Sequence, residues 1–125
     1  MSDPTQLAPL AATPYVAVIF SSRRTAVEQG YDETAEAMEQ LAMHQPGYIG
    51  IESARSPDGF GITVSYWATD GDARAWKQVV EHLDAQRRGQ TTWYEQYVAR
   101  VATVERQYGW ARDARPSHDG TAPTE

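Results

Sequence analysis

Hydrophobic and polar positions alternate with two different periods along this chain, and the changes of period predict six elements. Tyr15–Ser22 is a continuous run of strand-forming residues with apolar side chains on both faces, which is typical of a strand buried on both sides. From Tyr31 to Gln45, apolar residues recur at helical spacing, and this spacing predicts a helix. Pro46–Gly47 ends that helix, because proline cannot continue it.

Four further elements follow in the same way. Two strands, Tyr48–Arg55 and Phe60–Trp67, are joined by the turn Ser56–Gly59. A second helix begins after the capping segment Thr69–Asp72 and ends near Arg87–Gly89. The last strand, Tyr97–Gln107, follows a short helical turn over Thr92–Glu95. Thr69 or Asp70 is the expected cap of the second helix. The order β-α-β-β-α-β predicts an α+β fold of the ferredoxin-like type.

The first strand also predicts the state of assembly. Two helices cover only one face of a four-stranded antiparallel sheet, yet this strand is apolar on both faces. A second copy of the chain, packed sheet to sheet, is the simplest cover for the other face, so the sequence predicts a homodimer.

Two proline-containing segments frame the predicted domain, which spans residues 15–110. Residues 1–14 and 111–125 hold five of the seven prolines and have no periodic apolar pattern. Both segments are therefore predicted to be disordered tails that are dispensable for folding.

Composition and charge exclude several classes of function. The chain has 125 residues, no cysteine and a net charge of −6. The absence of cysteine excludes disulfides, iron–sulfur clusters and thiolate catalysis, and the negative charge argues against nucleic acid or an anionic membrane as a partner. No apolar run is long enough to span a bilayer, and the N-terminus lacks the features of a signal peptide, so a cytoplasmic protein is expected.

The alternation of Phe60–Trp67 separates a large apolar face from a small, more polar one. Gly61, Thr63 and Ser65 share the second face with Trp67, and small residues beside a Trp leave space for a ligand. We predict that this face points away from the helices and lines a substrate pocket. The alternative is that Trp67 fills the dimer interface, where Trp is common.

The candidate base is His82, which lies at the edge of the apolar stripe of the second helix. The alternative is a surface or half-buried His beside Glu81. Ser21 and Arg23 are candidate substrate-binding residues at the end of the first strand, although Arg23 at a rim can also serve only to keep a loop soluble. No nucleotide-binding glycine motif is present, and no second His stands at metal-ligand spacing from His82, so neither flavin nor metal is expected.

Five segments, taken together, resemble the antibiotic biosynthesis monooxygenase family: YVAVIFSSRRT, QPGYIGIESARSPDGFGITVSYW, AWKQVVEHLDAQRRG, WYEQYVARVATVER and QYGW. They cover about residues 15–110. The resemblance implies a dimeric α+β barrel, in agreement with the predicted order of elements. Some members of the family oxygenate polycyclic phenols without metal or cofactor, others bind and degrade haem through a His on the second helix, and many have no demonstrated activity.

The resemblance carries over to this chain only in part. Trp67 matches the pocket Trp of the family, whereas His82 matches the haem-ligating His in its element but not in its spacing from Trp67. The family's Asn on the first strand is absent, and the nearest polar residues are Ser21 and Ser22.

We therefore expect a homodimeric, monooxygenase-like enzyme that acts on an aromatic or enolisable small molecule and O2 without a cofactor. The alternatives are a haem-binding or haem-degrading protein with His82 as the axial ligand, and a non-catalytic dimer that binds a small molecule.

Overall fold

The computed structural model describes residues 7–81, 83 and 92–112. Its helices and strands follow the predicted order: β1 (Tyr15–Arg24), α1 (Tyr31–Met43), β2 (Tyr48–Arg55), β3 (Phe60–Trp67), α2 (Asp70–Glu81) and β4 (Tyr94–Val104). The ferredoxin-like α+β fold is thereby confirmed. Neither helix is long and apolar enough to cross a membrane within this part of the chain.

The element boundaries agree closely with the pattern in the hairpin and less closely at the chain's turns. Strands β2 and β3 and the start of α1 lie where they were predicted. Thr69 caps α2, since its hydroxyl accepts a hydrogen bond of 3.0 Å from the backbone N–H of Asp72. The helical turn predicted over 92–95 is wrong for Tyr94 and Glu95, which already belong to β4. The predicted end of α2 near residues 87–89 lies outside the described residues.

The four strands form one antiparallel sheet in the order β2-β3-β1-β4. β1 lies in the interior of the sheet, where it pairs with β3 on one side and β4 on the other. This central position accounts for the unbroken apolar sequence of β1, because such a strand contacts packed side chains above and below.

The core lies on the face of the sheet that both helices cover, which we call the helix face. Val16 of β1 packs there with Ala42 of α1 and Ala73 of α2. The register pairs Val16 with Trp67 and continues through Ser22 paired with Gly61. Since side chains alternate along a strand, the small-residue face of β3 belongs to the helix face.

No helix of the described residues covers the opposite side, which we call the open face. Phe60, Ile62 and Val98 are 42 %, 40 % and 39 % exposed, respectively, although all three are large and apolar. Across the sheet, the register pairs Ser21 with both Ile62 and Val98, so the exposed apolar residues form one continuous area.

The other end of the open face is contacted by the N-terminal segment. The backbone N–H of Ala8 donates to the Glu52 carboxylate at 2.9 Å, and the Gln107 amide donates to the carbonyl oxygen of Ala11. The tyrosine hydroxyls of Tyr15 and Tyr66 donate to Gln107 and Glu52, at 2.6 and 2.8 Å. Ala8 and Ala11, which belong to the segment predicted to be a disordered tail, thus make hydrogen bonds with the sheet and with Gln107. Residues 1–6 and 113–125 lie outside the described residues.

Candidate functional site

Trp67 is part of the core, and the prediction that it faces away from the helices is wrong. Its side chain is fully buried, its ring stacks on Trp76 of α2 at 5.7 Å, and Tyr48 packs edge-on against it at the same distance. The indole N–H donates to the hydroxyl of Ser65 at 2.9 Å. Both polar groups are therefore already paired with each other and are buried.

The space beside Gly61 holds a guanidinium group. A Cβ atom at Gly61 would lie 2.7 Å from the Cζ atom of Arg55, so a larger residue at this position would displace the guanidinium group. The Arg55 guanidinium donates one hydrogen bond to the Ser22 hydroxyl, at 2.9 Å, and another to the carbonyl oxygen of Gly59. The small residue predicted to open a pocket instead accommodates a positive charge on the helix face.

Between the core and Arg55, the helix face presents a pair of hydroxyl groups. The side chains of Ser53 and Thr63 lie 2.8 Å apart in a hydrogen bond, and Ser53 is exposed. The buried contacts of α1 and α2 lie at the Trp67 end of the sheet. A ligand that lies against this part of the sheet would therefore meet two hydroxyls that each can donate or accept.

The far end of the helix face holds an aromatic–arginine cluster, which consists of Phe20, Arg24, Tyr31, Arg55, Trp93, Tyr94 and Tyr97. The guanidinium carbon of Arg24 lies 3.6 Å above the ring of Tyr31, and that of Arg55 lies 5.9 Å from the same ring centre. Tyr94 packs edge-on against Phe20, and its hydroxyl lies 3.4 Å from the hydroxyl of Tyr31. Two guanidinium groups thus lie near the same tyrosine ring.

The cluster is tied to the backbone around it. The indole N–H of Trp93 donates to the carbonyl oxygen of Gln29, and the Arg24 guanidinium donates to that of Val27, at 3.0 and 2.9 Å. The Nε–H of Arg24 is buried and lacks a hydrogen-bond partner. Burial raises the pKa of Tyr94, as does its hydrogen bond to Tyr31, while the two arginines act in the opposite direction.

Ser21 and Arg23 lie on the open face, so the structure separates them from Gly61, Thr63 and Ser65. Arg23 contacts the ring of Phe60 at 5.8 Å and reaches the carboxylate of Asp58 at 4.0 Å. Their neighbours Ser22 and Arg24 occupy the helix face instead. Ser22 and Arg24 could have been chosen as candidate site residues if the face of β1 that meets the helices had been known. No pattern in the sequence pointed to Arg55 as a site residue.

His82 lies outside the described residues.

Comparisons with known proteins agree with this architecture. Residues 14–88 match the family model described as antibiotic biosynthesis monooxygenase. The chain is 51 % identical over 94 residues to the uncharacterized protein YqjZ of Bacillus subtilis (strain 168), an alignment that covers 75 % of this chain and 82 % of that protein.

Two solved structures share the fold. A Nitrosomonas europaea protein named as a candidate antibiotic biosynthesis monooxygenase superposes with a TM-score of 0.60 at 16 % identity, covering 75 % of this chain and 92 % of its own. The protein PA3566 of Pseudomonas aeruginosa superposes with a TM-score of 0.51 at 13 % identity, covering 76 % and 96 %.

Proposed function

This chain belongs to the antibiotic biosynthesis monooxygenase family, and we propose that it oxygenates an aromatic or enolisable small molecule without flavin or metal. The observation that carries the proposal is the composition of the helix face beyond Trp67. There the exposed Ser53–Thr63 hydroxyl pair lies between the core and a wall of aromatic rings. Such a combination suits a flat substrate that carries an ionisable oxygen.

The proposed reaction draws its electrons from the substrate. A deprotonated CH2 carbon next to the phenol or enol reduces O2, one oxygen atom forms a new C=O group, and the other leaves as water with the two hydrogens of the CH2. The protein's part is to hold the anion, exclude water and receive the first proton. Thr63 would donate a hydrogen bond to the ionised oxygen, and His82 is the proposed proton acceptor because imidazole titrates near neutral pH.

We also propose that the enzyme acts as a homodimer whose interface is the open face. Phe60, Ile62 and Val98 form an exposed apolar area on the side that the described helices leave uncovered. Contiguous apolar surface of this kind is typical of protein–protein contacts. A second copy would bury it sheet to sheet and leave each helix face as a separate site.

Oxygen consumption with an anthrone as the substrate tests the proposed reaction. The wild-type protein should accelerate oxygen uptake over buffer, in the presence of a chelator and without added flavin. Thr63→Val should reduce kcat/KM on the order of tenfold or more, since it removes one donor to the developing anion. Ser21→Ala, a matched control on the open face, should leave the rate unchanged.

Three results would contradict this assignment. Absence of catalysed oxygen uptake would refute the proposed monooxygenase activity. A loss of rate in Ser21→Ala equal to that in Thr63→Val would indicate that the site lies on the open face. A haem titration that produced a Soret complex lost in His82→Ala would favour the haem-binding alternative.

A further inference from the structure

We propose that the aromatic–arginine cluster binds the anionic oxygen of an aromatic ligand through Arg24 and Arg55. This inference rests on the proposed function, since it names the charge and ring type of the substrate for the same site. The site would thus select aromatic carboxylates or phenolates over neutral rings of the same shape.

The first argument is the charge of the cluster. Both guanidinium groups lie near the ring of Tyr31, at 3.6 and 5.9 Å from its centre. The ion pairs of the described residues are Arg23–Asp58, Arg74–Asp70 and Lys77–Glu81, so neither Arg24 nor Arg55 has a carboxylate partner in this part of the chain. In a protein of net charge −6, two neighbouring arginines without an acidic partner favour a bound anion.

The second argument is the hydrogen-bonding capacity that remains. Arg24 uses one nitrogen for the carbonyl of Val27, and its Nε–H is buried without a partner. A buried donor without a partner costs free energy that a ligand oxygen would recover. Guanidinium groups match carboxylate and phenolate oxygens better than ammonium groups do, because they present several N–H donors in one plane.

The third argument is the aromatic surroundings. The rings of Phe20, Tyr94 and Tyr97 contact one another with centres 5.0 to 5.8 Å apart. All three are only partly buried, so they leave ring surface for a flat ligand next to the two charges. Edge-on and tilted ring contacts of this kind are favourable in proteins and would extend to an aromatic ligand.

Backbone and side-chain contacts hold the two arginines in place. Ser22 accepts a hydrogen bond from Arg55, and Gly61 leaves the space in which its guanidinium lies. The guanidinium group of Arg24 lies on the ring of Tyr31 and donates to the carbonyl oxygen of Val27. The charges are thus positioned before a ligand arrives, which reduces the entropy lost on binding.

Calorimetric titration with benzoate, 4-nitrophenolate and benzamide tests the inference, since benzamide has nearly the shape of benzoate but no charge. Benzoate or 4-nitrophenolate should bind the wild-type protein, and benzamide should bind at least about tenfold more weakly. Arg24→Gln should weaken the binding of the anion at least about tenfold. Arg23→Gln, which removes the same charge one residue away on the open face, should change the affinity less than twofold.

Circular dichroism and thermal unfolding show whether each variant is folded. If Arg24→Gln does not fold, Arg24→Lys is the replacement variant, because it keeps a positive charge and loses the Nε–H. It should weaken the binding of the anion severalfold. The inference is overturned if no anion binds at millimolar concentration, if benzamide binds as tightly as benzoate, or if Arg23→Gln and Arg24→Gln have equal effects.

These titrations need no oxygen and no turnover, so they fail separately from the proposed function. Anion binding without oxygen uptake would support the arginine site and refute the proposed monooxygenase activity. Oxygen uptake that is unaffected by Arg24→Gln would retain the activity and remove the arginine site.

Discussion

Replacing Trp67 with Phe should destabilise the fold, because Trp67 is the one large side chain among the described residues that is completely buried. The substitution shortens the ring that stacks on Trp76 and leaves part of its volume empty, at a cost of about 1–2 kcal/mol. It also removes the N–H that Ser65 accepts, and a buried hydroxyl without its partner costs about 1–3 kcal/mol. Together these losses amount to about 2–5 kcal/mol.

Thermal unfolding at a fixed protein concentration measures this loss. For a domain of this size, 1 kcal/mol corresponds to about 4–8 °C, so Trp67→Phe should lower Tm on the order of 10 °C. Trp110→Phe is the matched control, since Trp110 is 61 % exposed, and its Tm should stay nearly unchanged. The double variant with Ser65→Ala should lose less stability than the two single variants added together, by about 1 kcal/mol.

The reasoning is refuted if Trp67→Phe keeps the wild-type Tm and loses ligand binding. That outcome would return Trp67 to the ligand site that the sequence predicted, and it would mean that the contact with Trp76 contributes little. A loss of Tm equal to that of Trp110→Phe would refute the burial argument alone.

Three further predictions concern the open face and its edge. Ile62→Lys should convert the dimer to a monomer in light scattering, whereas Ala37→Lys on exposed α1 should not; a wild-type monomer would contradict the proposed interface. Deletion of residues 1–11 should lower Tm by several degrees, because it removes the backbone donor to Glu52, and an unchanged Tm would show that this contact is dispensable. Burial and the hydrogen bond to Glu52 raise the pKa of Tyr66 to about 12. Because the unfolded chain releases this proton near pH 10, the free energy of unfolding should fall as pH rises from about 10 to 12. Urea titrations of Tyr66→Phe should show a smaller fall over the same pH range.

The order of elements could be predicted from the sequence because each depends on local patterns. The hairpin of β2 and β3 has strict alternation and a Pro–Asp–Gly turn, so both strands were placed at their observed bounds. The start of β4 was missed because Tyr94 and Glu95 directly follow the helical residues Thr92 and Trp93. They continue the strand only through pairing with β1, which includes a register shift next to Arg24. Pairing of this kind joins residues about 70 positions apart, and no local period reports it.

The orientation of β3 could not be predicted, because alternation separates two faces without saying which one meets the helices. Its large residues, such as Ile62, were assigned to the helices on the general expectation that bulk belongs in the core. The structure uses them on the open face, while Trp67 alone supplies the bulk on the helix face against Val16. β1 gave no guidance, because its sequence is apolar on both faces.

The contacts of the N-terminal segment were hidden from composition for a different reason. Ala8 and Ala11 bind through their backbone N–H and carbonyl groups, which every non-proline residue possesses. A proline-containing, non-periodic segment lacks the signal of a helix or strand, yet it can still donate a hydrogen bond to a half-buried carboxylate. Glu52, an acidic residue on a face without helices, accepts hydrogen bonds from this segment and from Tyr66.

The distribution of bulky residues explains how one small sheet can serve folding, assembly and ligand binding. The helices contact the sheet through a few small residues and the Trp67–Trp76 pair at one end, and Tyr31 at the start of α1 contacts Arg24 and Tyr94 at the other end. The proposed ligand site lies between these two groups of contacts. Phe60, Ile62 and Val98 lie on the open face, where a second copy can cover them. Trp67 should therefore control stability, Ile62 assembly and Arg24 ligand affinity. A change at one of these positions that altered all three properties equally would show that the two faces are coupled.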